Sequence, residues 1–111
     1  MKKFGATIRR LREEKGISLR KFAESVKVSP TYQSKIERDE LPPPGEDTVR
    51  RMAMALEQDE DELLGLAGKV SSDLDEIIKA RPQLMANFLR TLKTVPEDKL
   101  RKIQKDLEKA R

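Results

Sequence analysis

Ser18-Leu19-Arg20-Lys21-Phe22-Ala23-Glu24-Ser25-Val26-Lys27-Val28-Ser29-Pro30-Thr31-Tyr32-Gln33-Ser34-Lys35-Ile36-Glu37-Arg38 is the stretch on which the fold turns. Ser18 can cap a helix on which Leu19, Phe22, Ala23 and Val26 recur at the helical period and face inward. Ser29-Pro30 then opens another helix, with a hydroxyl at the N-cap and a proline whose fixed φ suits the first helical position. Tyr32 and Ile36 sit four apart on this helix, which runs from Pro30 to Arg38. Too few residues separate the two helices for anything but a tight helix-turn-helix, the arrangement that places its second helix in a DNA major groove.

Outward from this pair the helical period continues. Phe4, Ile8 and Leu11 form an i, i+4, i+7 stripe on a first helix that stops at Gly16. Leu41-Pro42-Pro43-Pro44-Gly45 cannot be helical and reads as a loop. Val49, Met52, Ala53 and Leu56 mark a fourth helix, and Asp59 with Glu62 makes a capping box for a fifth that holds Leu63 and Leu64. Residues 1–67 thus form a five-helix domain, and 68–72 (Gly-Lys-Val-Ser-Ser) a linker. Residues 73–111 carry Leu74, Ile77 and Ile78, then Leu84, Met85, Phe88, Leu89 and Leu92 after Pro82. Thr94 and Glu97, with Pro96 between them, resemble a capping box for a last helix bearing Leu100, Ile103 and Leu107. The expected fold is all-α, five helices followed by about three. Some forty residues are few for an independent core, so these later stripes should pack on the first domain or on another chain.

Composition narrows the chemistry. The 111 residues include no Cys, His or Trp, which excludes disulfides, thiol nucleophiles, zinc fingers and histidine-based catalysis. No apolar run reaches the length of a membrane span, and Arg9 and Arg10 follow Lys2 and Lys3 too soon for a signal-peptide core. The Asp59-Glu60-Asp61-Glu62 run lacks the glycine-bearing spacing of a calcium loop and reads as a helix amino terminus. No metal, cofactor or enzymatic activity is expected, and the chain reads as a cytoplasmic protein. Net charge is +4, but it is divided unevenly. Residues 1–38 hold eleven Lys/Arg against four Asp/Glu, 39–80 hold four against twelve, and 81–111 hold nine against four. A basic head suits a polyanion; the alternative is that these charges solvate helix faces.

Arg12-Glu13-Glu14-Lys15-Gly16-Ile17-Ser18, then Phe22-Ala23, Val28-Ser29 and Tyr32-Gln33-Ser34-Lys35-Ile36-Glu37-Arg38, resemble the Cro/CI-like (XRE) family of DNA-binding repressors. The likeness spans about residues 4–67 and implies a lambda-repressor-like helix-turn-helix fold. It also implies that Arg12 pairs with Glu37, holding the first helix to the third. Thr31 and Lys35 would face base edges, where lysine donates to guanine and a threonine methyl touches thymine. Ser29, Tyr32 and Ser34 would lie near phosphates, with Arg20, Lys21, Lys27 and Arg38 adding charge. Three residues depart from the family pattern. Gln33 replaces an apolar residue, so either Tyr32 carries more of the local packing or Gln33 reaches the DNA with the base-facing set. Lys27 replaces the glycine of the turn, and Leu19 replaces a glutamine that contacts phosphate.

The resemblance implies a dimeric repressor on a palindromic operator of double-stranded DNA, because one short helix reads too few base pairs. Leu84, Phe88, Leu92, Leu100, Ile103 and Leu107 are the expected dimer interface. The other reading is an antitoxin-like or adaptor protein whose carboxy-terminal helices bind a partner, with DNA binding secondary. Leu63-Leu64-Gly65-Leu66-Ala67-Gly68-Lys69-Val70, followed by Leu74, Ile77, Ile78 and Pro82, is also similar to a narrower subgroup. Those repressors join the motif to a small helical dimerisation domain and are inactivated by a regulatory metallopeptidase. Such a metallopeptidase, or a toxin, is the protein partner that this resemblance and the antitoxin-like reading imply.

Overall fold

The computed structural model describes residues 3–111. The first two residues of the expected amino-terminal domain, Lys2 included, lie outside them. The described residues form eight helices and no strand: α1 (Phe4–Glu14), α2 (Leu19–Ser25), α3 (Pro30–Glu37), α4 (Glu46–Leu56), α5 (Glu60–Leu66), α6 (Ser72–Ala80), α7 (Pro82–Leu92) and α8 (Glu97–Lys109). They fall into two compact units that part between Ser71 and Ser72. Ser72, expected in the linker, is already the first residue of α6.

In the first unit, apolar spacing and capping chemistry coincide. Ser18 Oγ accepts from the Lys21 amide, Ser29 Oγ from Tyr32 and an Asp59 carboxylate oxygen from Glu62, so α2, α3 and α5 each start on a side-chain cap. Gly16, with φ +68, takes the left-handed conformation that ends α1. The core gathers Phe4 and Ile8 from α1, Phe22 and Val26 around α2, Ile36 from α3, Val49, Met52, Ala53 and Leu56 from α4, and Leu63, Leu64 and Ala67 from α5. α1 and α2 both pack on α3, and α4 packs on α5, α1 and α2. The recognition-helix candidate is therefore gripped from two sides while its remaining face is left to solvent.

The second unit is built differently. α6 packs on α7, yet among the described residues none of α6, α7 or α8 is buried. Leu74, Ile77, Leu84, Phe88, Leu89, Ile103 and Leu107 are all exposed. One sequence expectation fails here. Thr94 does not cap α8; Pro96 occupies the N-cap, and no side chain caps the helix. A Pro96 φ of −60° and ψ of 151° brings the chain into the helix at Glu97, two residues too late for Thr94 to serve as its N-cap.

Candidate nucleic-acid interface

The period of α3 sorts its side chains. Gln33, Ile36 and Glu37, at i, i+3 and i+4, share the core side and are buried. Thr31, Lys35 and Arg38, at i, i+4 and i+7, lie on the opposite side and are exposed. Arg20 and Lys21 on α2, Lys27 in the turn and Ser29 at the head of α3 are exposed as well. Tyr32 and Ser34 are half-buried, and Tyr32 packs against the hydrophobic core.

Gln33 is a correction. It was placed with the base-facing residues, but it is fully buried, because position 33 lies about half a turn around the helix from Thr31 and Lys35. Its Nε2 donates to Glu37 Oε2 at 2.8 Å, while its Oε1 has no partner among the described residues. A buried orphan acceptor costs about 1–3 kcal/mol.

The same carboxylate receives Arg12. Arg12 Nε donates to Glu37 Oε2 and Nη2 to Oε1, both at 2.8 Å, and Nη1 donates to the Ile17 carbonyl at 2.8 Å. The side chains retain only 11% and 3% of their exposure, so one guanidinium joins α1, the α1–α2 turn and the end of α3 in a dry setting. Hydrogen bonding to Glu37 holds the Arg12 pKa above the ordinary arginine value, against the opposing pull of burial. The guanidinium is therefore charged at neutral pH.

Two further ties are not foreshadowed by local sequence. Arg51 Nε donates to the Val26 carbonyl at 2.9 Å and its Nη2 to Thr48 Oγ1 at 3.0 Å, fixing the end of α2 to α4. The Asp39 carboxylate accepts from the Gly5 and Ala6 amides at 2.8 and 3.2 Å. Gly5, an otherwise unexplained glycine inside the apolar stripe of α1, was the one available signal of a close backbone approach. Lys27 adopts φ +62, with the Val28 amide donating to the Ala23 carbonyl at 3.0 Å. The chain thus turns into α3 through a left-handed residue that carries a full side chain.

Residues 3–66 match the family described as a helix-turn-helix domain. The chain belongs to this family, on its XRE (Cro/CI-like) branch. Similar solved structures accompany this XRE-type chain. SinR, the master regulator for biofilm formation, solved in complex with DNA, is 33% identical over 55% of this chain and 97% of its own, with a TM-score of 0.51. The clp gene regulator ClgR from Corynebacterium glutamicum is 27% identical over 81% of this chain and 89% of its own, with a TM-score of 0.51. A SinR/SinI complex matches 97% of this chain and 99% of that one at 22% identity and a TM-score of 0.53, a likeness of fold. No curated protein matches the chain. With this family, the XRE-type chain is a transcriptional regulator.

The expected dimer residues divide by exposure. Leu84, Phe88, Ile103 and Leu107 are exposed, with Phe88 at 44% and Leu84 at 56%, whereas Leu92 and Leu100 are half-buried. Among the described residues no helix is long and apolar enough to cross a membrane.

Proposed function

We propose that this chain is a DNA-binding repressor that reads a palindromic operator as a homodimer, with α3 in the major groove. The observation that carries the reading is the exposed Thr31–Lys35–Arg38 face on a helix whose other side is gripped by α1 and α2. Thr31 and Lys35 meet base edges; Ser29, Tyr32, Ser34, Arg38, Arg20, Lys21 and Lys27 meet phosphates. SinR, a third identical to this chain across nearly its whole crystallised length, was solved on DNA, which supports the assignment. Dimerisation is assigned to the exposed apolar residues of α7 and α8, since a free surface of that kind seeks a partner. A two-fold dimer sets two α3 helices about 34 Å apart and calls for a symmetric site. Repression places the protein with the chromosome in the cytoplasm.

The second reading, a partner-binding adaptor, draws on the same apolar residues of the second unit. Selection of duplexes from a random library, followed by a salt titration on the enriched sequence, separates the two. The repressor reading expects an inverted repeat and a steep fall of affinity with salt. A library that yields no enriched sequence refutes it and leaves the adaptor.

A further inference from the structure

We propose that Asp39 is a positioning residue for DNA recognition: it latches the end of α3 onto the start of α1 and, with the Arg12–Glu37 pair, fixes the angle at which α3 is presented. The inference rests on the DNA-binding reading above. α1 has no cap of its own. Lys3 at its N-cap offers no side-chain acceptor, and its first turn contains no acidic residue. The acceptor comes from 34 residues away, where Asp39 takes the Gly5 amide on Oδ1 and the Ala6 amide on Oδ2. Asp39 reaches them from a left-handed backbone, φ +57, at the turn that closes α3, where its own amide donates to the Ile36 carbonyl at 2.9 Å. The approach is tight. A Cβ at residue 5 would overlap the Ile36 carbonyl oxygen and stand 2.7 Å from Asp39 Oδ1, so only glycine lets α1 and α3 meet this closely.

Geometry gives the latch its consequence. Glu37 and Asp39 are two residues apart at one end of α3, yet they hold α1 at Arg12 and at Gly5, seven residues and roughly 10 Å apart along its axis. With the Arg12–Glu37 anchor alone, α3 can pivot as far as its packing on α1 and α2 gives way; a second, separated anchor resists that pivot. α3 is roughly 12 Å long, so a pivot of about 10° at its held end carries Thr31 roughly 2 Å. Base-edge hydrogen bonds tolerate a few tenths of an ångström, whereas long lysine and arginine side chains follow a phosphate over that distance. Loss of the latch therefore erodes discrimination and spares general affinity.

The test uses the full chain and two probes: the duplex it enriches from a random library, and random duplex of equal length. Asp39→Gly removes the carboxylate, and glycine takes φ +57 without strain, so any loss belongs to the carboxylate. The expected result is a fall of about tenfold in the ratio of the two affinities, comparable to one base pair's readout, with random-duplex binding within about twofold of wild type. Asp39→Asn keeps one acceptor for Gly5 and recovers part of the ratio. A cap that only stabilises α1 would lower the folded fraction and reduce both affinities by one factor; an unchanged ratio overturns the proposal. If Asp39→Gly is unfolded at the assay temperature, Asp39→Asn decides, and an unchanged ratio there is equally fatal. If the wild-type chain enriches no sequence, the DNA reading falls and the latch's recognition role with it. If the wild type discriminates and both variants match it, the latch alone is wrong.

Discussion

Glu37→Ala removes an acceptor that takes three hydrogen bonds, two from Arg12 and one from Gln33, all at 2.8 Å. The Arg12 guanidinium keeps only its bond to the Ile17 carbonyl and stays in a site where its side chain is 11% exposed. A buried charge stripped of its partner in this way costs about 3–5 kcal/mol. At about 4–8 °C per kcal/mol for a domain of this size, even the lower figure drops Tm by roughly 12–24 °C. Arg12→Ala removes the charge together with its partner's donors, and leaves Glu37 buried with Gln33 alone. The double alanine variant leaves no unpaired ion, so the cycle should return a coupling of at least about 2 kcal/mol. Replacing both with well-packed apolar residues should restore most of the stability, since dry ion pairs break even against such replacements. Tyr32 is the sole tyrosine and there is no tryptophan, so tyrosine fluorescence melting follows the first unit alone. Raising salt from 0.1 to 1 M should leave the coupling nearly intact, because a dry pair is poorly screened. A coupling below about 0.5 kcal/mol, or one that vanishes with salt, would mean that the pair behaves as a surface bridge and does not hold α3.

Three further outcomes can be checked separately. Lys35→Ala should cost about 1–3 kcal/mol on the selected duplex and relax preference at one base position, whereas Lys21→Ala should weaken selected and random duplexes alike, as binding isotherms on both will tell. Lys27→Gly should raise the stability of the first unit by about 1 kcal/mol in urea titration, because φ +62 is strained for lysine and not for glycine. Truncation after Ser71 keeps the Arg50 Nη2–Ser71 Oγ bond of the first unit and should give a folded monomer by ultracentrifugation with much weaker operator binding; a dimer of unchanged affinity would move the interface into α1–α5.

The sequence made α2, α3 and α5 legible because independent signals agreed there, the apolar period with a serine or aspartate cap and, for α3, a proline at its head, whereas α1 and α4 showed through their apolar period alone. Ser18, Ser29 and Asp59 each accept the amide three residues on, a purely local interaction that a reader of residue types can foresee. Gln33 stands at an apolar position of the family pattern, and its residue type alone does not show that a buried Glu37, shared with Arg12, gives the amide a partner in the core. Arg51 and Asp39 act across 25 and 34 residues of chain, and no local pattern encodes such contacts. Thr94 failed for the opposite reason: the spacing to Glu97 fits a capping box, yet Pro96 decided the backbone entry.

Most of the locally unfavourable features of the first unit lie around one helix, the exception being Glu57, left-handed at φ +55 where α4 ends. Lys27 at φ +62 stands just before α3 and Asp39 at φ +57 just after it, and between them lies the orphaned Gln33 Oε1. Each costs on the order of 1 kcal/mol or more by itself. Each is also joined to something that orients α3: the Lys27 turn brings the chain round from α2, Gln33 donates the third hydrogen bond to the Glu37 carboxylate, and Asp39 ties the far end to α1. A helix wanted only for its contribution to the core needs none of these, since Ile36 is already buried by the packing of α1 and α2. What they secure is direction, the angle at which Thr31 and Lys35 leave the surface. On the proposed DNA-binding reading, these costs fall where orientation matters, at the helix whose exposed face carries Thr31 and Lys35.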